Sequence, residues 1–132
     1  MNNEEKVKYW LDCADYDFQT SKVMLDGKRY LYVGFMCHQV IEKSLKAYYS
    51  SRYNDMPPYI HGLVRLGNSA GLYEEFSEEQ KGFIDILEPL NIEARYPSDK
   101  EELLRSLTHE KCGNIIIKTG ELYKWIRTKS LY

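Results

Sequence analysis

The sequence is sparing with the residues that most often declare chemistry. It holds three cysteines (Cys13, Cys37 and Cys112) and three histidines (His38, His61 and His109). None pairs with another at metal-ligand spacing, so neither a zinc site nor any other metal site is indicated. An odd, scattered set of cysteines with no CxxC gives no disulfide framework; three free, largely buried thiols in a reducing cytoplasm are expected. The eight glycines are scattered and mostly open or close helices, so there is no phosphate-cradling glycine loop. No nucleophile–base motif is legible either: GxSxG and HExxH are both missing, and no cofactor is implied. Apolar runs are short, the longest about five residues from Val33 to Cys37 with its glycine counted, which leaves nothing to span a membrane. No basic-plus-apolar leader opens the chain. Neither sign of charge dominates: 18 Lys and Arg face 20 Asp and Glu, a net charge of −2. Bulk charge therefore does not attract a polyanion, and any RNA contact must come from a local patch.

What remains is ordinary for a single folded domain over 1–132. With 43% hydrophobic and 29% charged residues, disorder and collagen-like structure are excluded. A chain of this length buries roughly two-thirds of its extended surface and can hold a core without staples. The twelve tyrosines are the one compositional excess and point weakly to self-association.

The hydrophobic period is that of helices. From Glu4 to Leu25, Val7, Trp10, Leu11, Ala14, Phe18, Ser21 and Leu25 recur at steps of three and four, and Gly27 follows. A second helix, from about Leu31 to Arg52, is apolar on both flanks and belongs in the middle of a bundle. Its single polar stripe is Gln39, Glu42, Lys43 and Lys46, spaced i, i+3, i+4, i+7. Pro57 and Pro58 break the chain before a short helix from Ile60 to Ala70. Ser77 and Gln80 spell a capping box for a helix that Pro89 should kink and that ends by Tyr96, before Pro97. Residues 98–107 read as a charged connector with one helical turn. Thr108 then caps a final helix with Cys112, Ile115, Ile116, Thr119, Leu122, Tyr123 and Ile126 facing in. The fold class is all-α: an up-and-down antiparallel bundle of four long helices plus a short extra one.

Several polar groups are candidates for function. Lys43 and Lys46 offer ammonium donors to a phosphate, Gln39 can read an amide or a base edge, and Glu42 can orient a lysine. His61, just past the proline turn, suits ligand contact or proton transfer. The Arg95 fork suits a carboxylate or phosphate, and Tyr96 can stack on a base. The same residues equally suit a structural network: a solvated face tied by a Glu42–Lys46 pair, with Arg95 fastening a helix end.

Taken together, four strings resemble one family. They are Trp10-x3-Ala14-x3-Phe18, Phe35-x2-His38-Gln39-x2-Glu42-Lys43-x2-Lys46-Ala47, His61-x-Leu63-x2-Leu66 and Ala94-Arg95-Tyr96-Pro97. Over roughly residues 5–128 they resemble the HEPN domain family, in the subgroup with an Ala-Arg-Tyr-Pro motif. The resemblance implies a helical bundle that forms a homodimer, is cytoplasmic, and binds a nucleotide or a minimal nucleotidyltransferase partner, in some cases as a toxin–antitoxin pair. It nominates Gln39, Glu42, Lys43, Lys46, His61, Arg95 and Tyr96 as ligand-binding residues. The ribonuclease members carry Arg followed by His after four to six residues. Here the nearest instance is Arg105-x3-His109, which departs from that spacing and leaves catalysis without a firm residue. A metal-independent ribonuclease and a helical interaction module without a ligand are the alternatives.

Overall fold

A computed structural model describes residues 1–94 and 96–130. Three long helices make its frame: α1 (Asn3–Asp26), α2 (Tyr30–Arg52) and α6 (His109–Ser130). Between α2 and α6 lie three shorter ones: α3 (Leu63–Ala70), α4 (Glu78–Leu87) and α5 (Pro97–Ser106). No strand occurs among the described residues.

Local chemistry sets the ends of these helices. Asn2 and Glu5 form a reciprocal capping box at the start of α1, and Ser77 and Gln80 do the same for α4. The Thr108 hydroxyl accepts the Lys111 N–H at 3.1 Å and opens α6, with buried Leu107 and Cys112 stapling the entry. Helix α3 begins at Gly62 without a side-chain cap of its own; Glu88, far along the chain, accepts the Val64 N–H at 2.8 Å instead. It ends on Gly71 at φ +77°, a left-handed closure that glycine adopts without strain.

Helix α2 occupies the centre, as its two apolar flanks require. It lies against α1, α3 and α6, and its Val33, Cys37, Val40, Ile41 and Leu45 are sealed from solvent. Val7, Leu11 and Ala14 meet it from α1; Cys112, Ile116 and Ile126 meet it from α6. Close approach is set by missing side chains: a Cβ on Gly34 would stand 3.2 Å from Leu90, and one on Gly120 would stand 3.0 Å from Phe18.

Three segments differ from the sequence expectation. Helix α3 starts at Leu63 rather than Ile60, because Gly62 is held in an extended conformation, and His61 therefore lies in the loop before it. The chain does not continue as a kinked helix through Pro89; α4 stops at Leu87, and short 3₁₀ turns follow at Glu88–Leu90 and Ile92–Ala94. Pro89 has no N–H for the α-helical ladder, and the tighter turn accommodates that loss. The charged connector is a helix of ten residues, α5. Pro97 sits at its first position, where its fixed φ is favourable and no donor is missed, and half-buried Leu103 docks it on the core. No helix among the described residues is long and apolar enough to cross a membrane.

Candidate functional site

The polar stripe of α2 faces the flank of α1 and the loop before α3. The i, i+3, i+4, i+7 spacing keeps its four side chains on one side, and contacts with α1 and the loop divide them into two groups.

The first group centres on Glu42, whose side chain is 3% exposed. Its Oε2 accepts from Lys46 Nζ at 3.3 Å, and its Oε1 lies 3.3 Å from His61 Nδ1. Lys46 is also buried, with its ammonium 5.2 Å from the centre of the Trp10 ring. A carboxylate in this setting is tolerated only because both oxygens are engaged by cationic or donor groups. An ionised carboxylate can only accept, so the contact requires His61 to donate from Nδ1. That fixes the imidazole and turns its Nε2 edge away from Glu42. The His61 side chain is 46% exposed. The Tyr59 ring stands edge-on to it at 4.8 Å and is itself 89% exposed.

The second group is Gln39, Lys43 and Asp17 of α1. Lys43 Nζ donates to Asp17 Oδ2 at 3.0 Å and to Gln39 Oε1 at 2.9 Å. Lys43 and Asp17 are about one-fifth exposed at the edge of a shallow depression that also includes Tyr9, Cys13 and Tyr16. The lysine charge is thus already answered by a carboxylate.

The remaining nominated residues are placed as follows. Tyr96 is 78% exposed and provides the extended N-cap of α5. Arg95 lies outside the described residues. Arg105 stands in the last turn of α5, while His109 opens α6. Leu107 and Thr108 are not helical, so these two do not share one helical face as an i, i+4 pair would. His109 Nδ1 is 3.2 Å from the Tyr30 hydroxyl, which engages that ring atom.

Sequence reading missed Tyr59, Trp10 and Asp17 as members of this region. Tyr59 and His61 lie two residues apart in a loop that bends at Tyr59 after two prolines, and no period in the sequence joins them. Trp10 and Asp17 lie on α1 and read as core and surface until α1 is laid against α2. Among the described residues no group of three His, Cys, Asp or Glu could hold a metal ion. The three cysteines carry no disulfide; burial pushes the Cys37 thiol up to about 11. Across the α1–α6 seam, Tyr123 donates to Asp15 Oδ1 at 2.6 Å, and Arg127 reaches Asp15 Oδ2 at 3.3 Å. Burial, then the Asp15 hydrogen bond, raises the Tyr123 hydroxyl well above its ordinary range.

No curated protein matches this sequence, and no solved structure does. The HEPN domain, a nucleotide-binding and ribonuclease-type family, matches over residues 7–129. That span contains α2, α3 and α4 entire, together with both polar groups of the stripe. With a helical bundle of this order and a family match over nearly its whole length, this chain belongs to the HEPN domain family.

Proposed function

We propose that this protein is a non-catalytic HEPN accessory domain that binds a nucleotide at His61 and serves a nucleotidyltransferase partner. The reading is carried by one observation: a half-open imidazole is held at a fixed angle by a buried carboxylate that a buried lysine secures in turn. A surface histidine without such backing loses rotamer freedom on binding; this one has already lost it, which lowers the cost of engaging a ligand. With Nδ1 committed to Glu42, neutral His61 presents Nε2 as an acceptor for a ribose hydroxyl or a base amine. Protonated, it presents a donor to a phosphate oxygen. The open face of Tyr59 beside it suits a base, since aromatic stacking accepts every base. Tyr96 and Arg95 are the further candidates for the same ligand. In this reading Gln39 and Lys43 brace α2 to α1, and Lys46 neutralises Glu42 while leaving phosphate contact to His61.

Calorimetry of the wild type against ATP, GTP, CTP and UTP tests this. Binding of at least one is expected, weakened at least tenfold in His61→Ala and several-fold in Tyr59→Ala. Absence of heat with all four, or undiminished binding in His61→Ala, contradicts the assignment. RNA cleavage that disappears in His109→Ala would instead favour the ribonuclease reading.

A further inference from the structure

Residues 53–62, which carry Tyr59 and His61, form no helix or strand. Within the segment the backbone makes one hydrogen bond, from the Ile60 N–H to the Pro58 carbonyl at 2.9 Å. A stretch of this kind samples many conformations unless it is tied, and a ring on it then loses that freedom when a ligand binds. Here both ends are tied. At the far end His61 donates to Glu42, and Ile60 packs on the core. At the near end three side chains hold two adjacent residues. Lys6 Nζ donates to the Asn54 carbonyl at 2.8 Å, and Asn3 Nδ2 donates to Asn54 Oδ1 at 3.0 Å. The Tyr49 hydroxyl reaches both oxygens of Asp55, at 3.1 and 2.9 Å. Pro57 and Pro58 lie between the two sets of ties, and their fixed φ leaves few ways to join them.

Stability alone does not explain Lys6. The residue is buried, yet it makes no ion pair among the described residues. Its ammonium ends on a neutral carbonyl. Desolvating a cation for one such bond gains little, and an apolar side chain of similar length would fill the space without that cost. What the ammonium does supply is a fixed place for Asn54, and through the proline pair for the two rings beyond it. Trp10, one turn further along the same face of α1, meets the Lys46 that secures Glu42. Helix α1 thus touches both ends of the chain of contacts behind the imidazole.

We infer that Lys6 and Tyr49 are positioning residues of the His61 site: they hold the near end of residues 53–62, so that the proline pair presents Tyr59 and His61 together. The inference rests on nucleotide binding at His61, and its test separates the two.

Lys6→Met and Tyr49→Phe each remove a tie and keep the bulk of the side chain; the second also keeps the ring contact with Tyr53. Nuclear magnetic resonance of ring-labelled histidines, without nucleotide and at about pH 8.5, where an imidazole is neutral, reads the His61 tautomer. The wild type is expected to hold its proton on Nδ1. Both variants should move toward the Nε2–H form that a free imidazole favours, with urea midpoints close to wild type. Lys6→Arg keeps a donor and should keep the wild-type signal. Calorimetry should find nucleotide affinity lowered about fivefold in Lys6→Met, the cost of ordering a side chain at binding, and restored in Lys6→Arg. An unmoved His61 signal in both variants overturns the inference, whether or not stability falls, and so does an unchanged affinity where the signal has moved. Should the wild type bind no nucleotide, the reading of His61 as a ligand contact falls, while a moved His61 signal in Lys6→Met still supports the ties.

Discussion

At the scale of single residues, the polar side of α2 depends on Glu42. Its carboxylate lies within a helix that is otherwise the hydrophobic centre of the molecule, and both oxygens are engaged. Replacing Lys46 by Met removes the buried ammonium that answers this carboxylate and should cost about 3 kcal/mol in a urea unfolding experiment. The double variant Lys46→Met/Glu42→Leu should recover most of that loss, because an apolar pair leaves no stranded charge. Lys43→Met should cost less than about 1 kcal/mol, since the Lys43–Asp17 pair is partly open to water. Equal losses for Lys43 and Lys46 would show that burial does not separate the two groups. The stripe itself was legible, because i, i+3, i+4, i+7 spacing is a property of one helix. Its division into a buried pair, Glu42 and Lys46, and an edge pair, Gln39 and Lys43, was not, because the dividing residues, Trp10 and Asp17, come from another helix. Tyr59 escaped notice for a different reason: an isolated tyrosine in a proline-rich loop has no period to betray its neighbours.

At the scale of elements, the long helices were legible and the links were not. Helices α1, α2 and α6 each repeat their apolar positions over several turns, and Ser77 and Thr108 mark two starts through short-range hydrogen bonds. Helix α5 was obscured by its charge, as it buries little beyond Leu103 and is started by Pro97 rather than by an apolar stripe. The stretch around Pro89 was read as a kink because proline forbids one ladder bond without dictating whether the chain bends or tightens. The seam between α2 and α6 makes its own prediction. Cys37 lies sealed on α2, and burial raises its thiol from 9.0 to about 11. Below pH 9 the thiol is neutral in both folded and unfolded chains, so its burial brings no pH dependence. Above it the unfolded chain ionises first, and stability falls as pH rises from 9 to about 11. The loss from this group is roughly 2 kcal/mol over that window and should be missing in Cys37→Ala, as followed by urea midpoints across pH.

At the scale of the whole molecule, a net charge of −2 conceals local order. Cations on the stripe are neutralised internally, Lys43 by Asp17 and Lys46 by Glu42. The bundle thus keeps one half-open imidazole in the proline loop before α3. This arrangement suits a binding domain better than one that gathers positive charge along a nucleic acid. The central claim concerns His61, and nuclear magnetic resonance of ring-labelled histidines during a nucleotide titration tests it most directly. The His61 ring signals should shift saturably with ATP or whichever nucleotide calorimetry selects, while His109, engaged by Tyr30, stays still. Unmoved His61 signals in the presence of a nucleotide that demonstrably binds would contradict the account.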